Sequence, residues 1–310
     1  MKTLIVSIAA VIAVPVCAQD AASPPAPTQA DCTAPEGWDA VVARDTDFVV
    51  FGELHGTTEA PAFVERLICA EAMQGRRVLL AVEHSSLYNT GLQAAWELPH
   101  DAFRAALPEV GWRGQDDGVG SEAMLQMVLD AHALKDGGAS VDIVAFNHTK
   151  DDAQRARFAD LPSQGPHEAA QAENIAEAAA RIEYERVIVL VGRTHAEIAP
   201  LRLSSGGPAF EPMAVRLRGY GTVLSLGMKH AGGETWGCAL APGTKLTPGQ
   251  AVTKDMITCS ASRAGAEGSS DRAPHITVGN LDDPQLARRF DGTFWVGPIT
   301  ASPPAFPAEK

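Results

Sequence analysis

The sequence predicts an α/β fold: a largely parallel central sheet flanked by helices, with an antiparallel extension supplied by the C-terminal strands. Three observations carry the prediction. Four short apolar runs, Phe48 to Phe51, Val78 to Val82, Val141 to Phe146 and Val187 to Val191, read as strands covered on both faces. Stretches with helical periodicity separate them, and crossovers of that length join parallel neighbours. Beyond Pro200 the pattern shortens into strands divided by Gly-rich turns.

Ahead of the first strand, Lys2, the apolar run Leu4 to Val16 and the small-residue site around Ala18 read as a secretory signal peptide over residues 1–18, cleaved before Gln19. The run is too short to span a bilayer, so no stable membrane insertion is expected. A lipoprotein reading would modify Cys17, but the bulky Val16 before it fits poorly. Residues 19–37, rich in Pro, Ala and Ser, form a tether, and residues 38–310 a single α/β domain. An exported chain, periplasmic or extracellular, then keeps Cys32, Cys69, Cys238 and Cys259. Of the three pairings, Cys32 with Cys69 and Cys238 with Cys259 are favoured because each closes a local loop.

The elements follow in order. Phe48 to Phe51 stops at Gly52-Glu53-Leu54-His55-Gly56-Thr57-Thr58-Glu59. The next helix is capped by Thr57 or Thr58, carries Pro61 in its first turn, buries Phe63, Val64, Leu67, Ile68 and Ala72, and ends at Gly75. Val78 to Val82 then ends at Glu83-His84, and Leu87 to Leu107 is helical. In the Gly-rich loop from Gly111 to Gly120, Arg113 could grip a substrate carboxylate or phosphate, or pair with Asp116 or Asp117. Ser121 caps a helix that buries Met124, Leu125, Val128, Ala131 and Leu134. Val141 to Phe146 ends at Asn147-His148, and Asp151 to Pro166 reads as an irregular flap. A helix from His167 to Tyr184 has Ile175, Ala178, Ala179 and Ile182 as its buried stripe, with His167 a surface residue. Val187 to Val191 leads into Gly192-Arg193-Thr194-His195. The later strands are Gly221 to Leu226, Thr235 to Leu240, His275 to Val278 and Thr293 to Val296, with Met228 to Gly233 as a hairpin connection.

Four parallel strands ending in Glu53 and His55, Glu83 and His84, Asn147 and His148, and His195 bring acids and bases to one edge, where open α/β sheets bind ligands. Two imidazoles with two carboxylates can activate water directly, or hold a divalent metal that does so. The expected catalytic set is Glu53, His55, Glu83 and His195, with Glu59, Arg113 and His148 as substrate-binding candidates. In the metal-dependent version His55, Glu83 and His195 ligate Mn, Co or Zn. No Gly-x-Ser-x-Gly elbow is present, which argues against a serine hydrolase of the α/β-hydrolase kind. A net charge of −13 disfavours nucleic acid as a partner and leaves a small-molecule or peptide substrate.

Gly52-x-x-His55, Glu83 and Gly192-x-x-His195 resemble the paired G-x-x-H motifs and intervening glutamate of the TraB/Tiki group. The stretch from Phe51 to Glu83 is similar to the erythromycin esterase-like and ChaN-like families of the same superfamily. The resemblance implies a metal-dependent protease, a cyclic-ester hydrolase, or a haem- or iron-binding protein without turnover. The esterase pattern has two residues between its glutamate and histidine where this chain has only Leu54, so that family's substrate is not carried over.

Overall fold

A computed structural model describes residues 32–202, 206–244, 250, 252–253, 256–269, 271–279 and 281–307. The predicted signal peptide lies outside them, as does the tether up to residue 31.

Among the described residues, nine strands run in the order β1 (Phe48–Glu53), β2 (Val78–Ser85), β3 (Val141–Asn147), β4 (Arg186–Gly192), β5 (Val223–Lys229), β6 (Gly233–Leu240), β7 (Ile257–Ala264), β8 (His275–Val278) and β9 (Gly292–Trp295). The helices are α1 (Trp38–Val42), α2 (Glu59–Met73), α3 (Asn89–Trp96), α4 (His100–Ala106), α5 (Glu122–Asp136), α6 (Asp152–Phe158), α7 (Gly165–Ala179), α8 (Met213–Leu217) and α9 (Pro284–Arg289). Seven strands form one sheet in the order β3-β2-β4-β1-β5-β9-β8. All neighbours are parallel except β8 against β9. The predicted parallel core and its C-terminal extension are borne out.

Strand alternation sorts the core into two layers. Val49, Phe51, Leu80, Val82, Ile188 and Leu190 face α2 and α5, against Phe63, Leu67 and Val128. Val50, Leu79, Ala81, Val189 and Val191 face α7, against Ala172 and Ile175. Each such side chain, taken fully from water, contributes about 1.5–3 kcal/mol before entropy is subtracted. The same parity carries past the apolar runs and decides where the polar strand ends point.

Several boundaries differ from expectation for identifiable reasons. The predicted 87–107 helix is two helices, α3 and α4, because Pro99 cannot donate to the helical ladder. The flap contains α6, capped by Asp151, whose side chain accepts from Gln154 N. Helix α7 ends at Ala179, so Ile182 is 43% exposed and outside the buried stripe. Residues Met228 to Gly233 are not a hairpin: β5 runs on to Lys229 in the main sheet, and β6 pairs with β7 in a separate two-stranded ribbon. Thr58 holds the cap position of α2 without a side-chain bond, while Thr57 Oγ1 donates to Leu54 O.

Both expected disulfides are present. Cys238 and Cys259 stand opposite each other in the ribbon, and Cys32 ties the end of the predicted tether to α2. No helix among the described residues is long and apolar enough to cross a membrane.

Candidate active site at the strand ends

Residue 83 shares the parity of Leu79 and Ala81, so Glu83 points to the α7 side, whereas His84 points to the α2 and α5 side. Glu83 therefore meets the ends of β1 and β4. Its Oε2 accepts the Gly192 N–H at 2.6 Å and lies 3.3 Å from His55 Nε2. Its Oε1 lies 3.5 Å from His195 Nε2. Each imidazole is anchored on its far side by another carboxylate: His55 Nδ1 donates to Glu53 at 2.8 Å, and His195 Nδ1 to Glu168 at 2.8 Å. Glu168 is fixed in turn by the Met213 N–H at 2.7 Å. The result is an alternating row, Glu53, His55, Glu83, His195, Glu168.

Geometry sets the charges along the row. Burial alone would push Glu83 up, but His55, followed by His195 and the Gly192 N–H, pulls its carboxyl down to about 2. Burial opposes a charge on His55 as well; the Glu83 charge and the Glu53 hydrogen bond outweigh it and raise its pKa well above 6.5. For His195, burial is outweighed by the Glu168 hydrogen bond and the Glu83 charge, with His55 pulling the other way, and the net shift is upward. Glu53 is raised by burial, only partly offset by His55.

The four residues expected to be catalytic thus come together. His148 stands at the rim, at φ 67°, with its carbonyl accepting from Ser86 and Asn174 and its ring 5.2 Å from that of His167. Arg113 and Glu59 are placed elsewhere. Arg113 pairs on the surface with Glu109, one turn before it, and Glu59 accepts the Thr300 N–H at the start of α2.

Two residues of the site were not foreseen. His167, expected on the surface, has its ring 5.5 Å from that of His195, and burial lowers its pKa. Glu168 is almost fully buried. The signal was in the sequence: Glu168 falls on the helical stripe that continues through Ala172 and Ile175, and an acid on an apolar stripe needs a buried partner.

Two glycines of the first strand end are held in tight contact. Gly52 is pressed against Ala196, where an added Cβ would lie 2.6 Å from its methyl, and Gly56, at φ 72°, against the Trp236 carbonyl. The glycine that leaves space for the His55 ring is Gly192. The His55-Gly56 turn is clamped from outside by the ribbon and the segment after β9: Trp236 N and Ser302 N donate to Gly56 O, and Thr235 Oγ1 to His55 O. Behind this clamp lies a separate groove of about 1080 Å³ lined by Gln115, Trp236 and Pro304 among others; no member of the row borders it.

The two histidines of the row have the outer shell of a divalent-ion site. Both Nδ1 atoms are held by carboxylates, the usual outer-shell arrangement for ligating histidines, and both Nε2 atoms turn toward Glu83. At this edge the group whose ligand atoms all lie within 4.8 Å of one another is His167, Glu168 and His195, not the expected His55, Glu83 and His195.

His84 belongs to the core. Its ring lies against Trp112 with centroids 4.1 Å apart, its Nε2 is buried without a hydrogen-bond partner among the described residues, and burial lowers its pKa to about 4. The unfolded chain, with His84 near 6.5, then binds more protons than the folded one between pH 4 and 6.5. The contribution of neutral His84 is complete above pH 6.5, falls through that window by on the order of 3 kcal/mol, and is flat below it. His84→Phe keeps the stacking and should flatten the acid limb of a stability–pH curve measured by urea unfolding. Equal slopes for variant and parent would refute this account.

Neither a family profile nor a curated protein matches the sequence. Solved structures match the fold. A mutant of the erythromycin esterase EreC in its open conformation aligns with TM-score 0.59 at 10% identity, covering 84% of this chain and 93% of that one. A succinoglycan biosynthesis protein aligns at 0.54 and 11%, covering 86% and 91%, and a protein from Bacillus cereus at 0.50 and 10%, covering 86% and 92%. The predicted resemblance to the erythromycin esterase-like group is therefore borne out at the level of fold.

Proposed function

We propose that this protein is an exported hydrolase in which the His–Glu row activates water against an ester, lactone or peptide bond. The observation that carries the reading is which groups face solvent. The side chains of His55 and His195 are 31% and 20% exposed, whereas Glu53, Glu83 and Glu168 are 1%, 6% and 1% exposed. Groups that exchange protons with a substrate stand in front, and those that orient them stand behind. The shared fold with an esterase supports the reading by analogy, and two disulfides suit an oxidising compartment.

Hydrolysis needs one group to take a proton from water and another to give one to the leaving group. At 3.3 and 3.5 Å neither Nε2 is tightly committed to Glu83. Each imidazole is flanked by two carboxylates, and the Glu83 charge and Glu53 hydrogen bond hold the His55 proton to higher pH. His195, opposed by the charge of His55, gives its proton up first and is the base. His55 is then the acid and the donor to a developing oxyanion. A divalent ion, when bound, would lower the pKa of a bound water.

A pH-stat screen of esters, lactones and peptides, with and without chelator, tests the proposal. Acid release by the parent and its loss in His195→Ala are expected. Failure of the parent on every class, or undiminished turnover by the variant, would sink it.

A further inference from the structure

A second group of ligating side chains lies at the other end of the molecule. Trp96 Nε1 donates to Val141 O at the start of β3, which places the end of α3 at the amino ends of the strands, opposite the row. Around it stand His100 at the start of α4, and His132 and Asp136 one turn apart on α5. One ligand atom from each lies within 4.8 Å of the others.

The tautomer of His132 follows from its neighbour. Its Nε2 lies 3.1 Å from the Trp96 carbonyl, which can only accept, so Nε2 carries the hydrogen and Nδ1 presents a lone pair. That lone pair faces His100 Nδ1 at 3.3 Å. Two imidazole nitrogens bound to tetrahedral zinc at 2.0–2.1 Å stand about 3.3 Å apart. A backbone carbonyl taking the other ring N–H is the outer-shell partner that ligating histidines commonly use. The His132 ring is held in place by Phe103, stacked at 4.1 Å and 11°, and by Trp96, edge-on at 4.9 Å. Asp136 accepts the His100 backbone N–H at 2.8 Å, which brings the carboxylate to the same point. His100 is half-buried and Asp136 exposed, leaving an approach from solvent. The opposing charge is Lys135, whose ammonium shares the Trp96 carbonyl and turns to Glu97.

We propose that His100, His132 and Asp136 bind a divalent cation of the zinc class, with water in the fourth position, and so clip α4 to α5. The closed loop spans 32 residues between the two histidines. Because the site is remote from the row, it stabilises the fold and leaves catalysis to the strand ends.

Cobalt(II), a spectroscopic stand-in for zinc, is the probe, titrated into the chelator-treated full chain and followed by its visible absorption. The parent should gain a tetrahedral band, and zinc should raise its Tm. His100→Ala, at a half-buried position, should lose one equivalent of bound cobalt and the zinc-dependent rise, while His195→Ala keeps the rise and the equivalent bound at His100. The proposal is overturned if the parent takes up no cobalt, if His100→Ala binds as many equivalents as the parent, or if the band is lost in His195→Ala instead.

Discussion

Replacement of His55 by alanine is expected to lower kcat by about 10²–10⁴-fold, the usual contribution of a positioned acid or base. The turn that carries it should survive, because it is held through backbone atoms: Gly56 O accepts from Trp236 N and Ser302 N, and His55 O from Thr235. The loss falls on Glu53 and Glu83, which each lose a partner. That costs about 1–3 kcal/mol, or a few degrees in Tm. Glu83 keeps the Gly192 N–H and His195, and Glu53, already raised by burial, can take up a proton. Steady-state kinetics beside thermal unfolding separates the two effects. A variant that melts far below the parent yet keeps its activity would make His55 a structural residue.

Gly192→Ala should be nearly as damaging while adding only one carbon. The new Cβ would stand 2.6 Å from His55 Nε2, closer than real contacts allow. The obstructing atom ends a side chain that can swing, so the imidazole moves and the backbone does not. Gly192 lies outside the left-handed region, so alanine is tolerated there, and its N–H still donates to Glu83. Displacing a catalytic group by about 1 Å costs on the order of 10²-fold. The expected result is therefore a loss of kcat of about that size with an unchanged Tm. Full activity in Gly192→Ala would show that the position of His55 against Glu83 is immaterial.

The parts of this site that were legible in the sequence are those fixed by the order of strands and helices. Four apolar runs separated by helical patterns force parallel pairing, and parallel pairing forces Glu53, His55, Glu83 and His195 to one edge. What was not legible depended on direction or on distant packing. His84 follows Glu83 directly, yet strand alternation turns it into the core against Trp112. Glu168 enters from the first turn of a helix, and only the burial of that turn under β4 and α8 makes its carboxylate a partner of His195. Glu59 and Arg113 looked like site residues from their position in polar loops, but a helix start and a surface pair account for them. The ribbon was missed because β5 and β6, separated by three residues, belong to different sheets.

Since one carboxylate touches both imidazoles, neither histidine has a proton affinity of its own. Protons leave the row in macroscopic steps that belong to all five groups, and each step redistributes those that remain. A bell-shaped pH–rate profile of this protein would accordingly give two constants that name no residue. Glu53→Gln, at one end of the row, would move both limbs of the bell, although its side chain touches only the His55 ring.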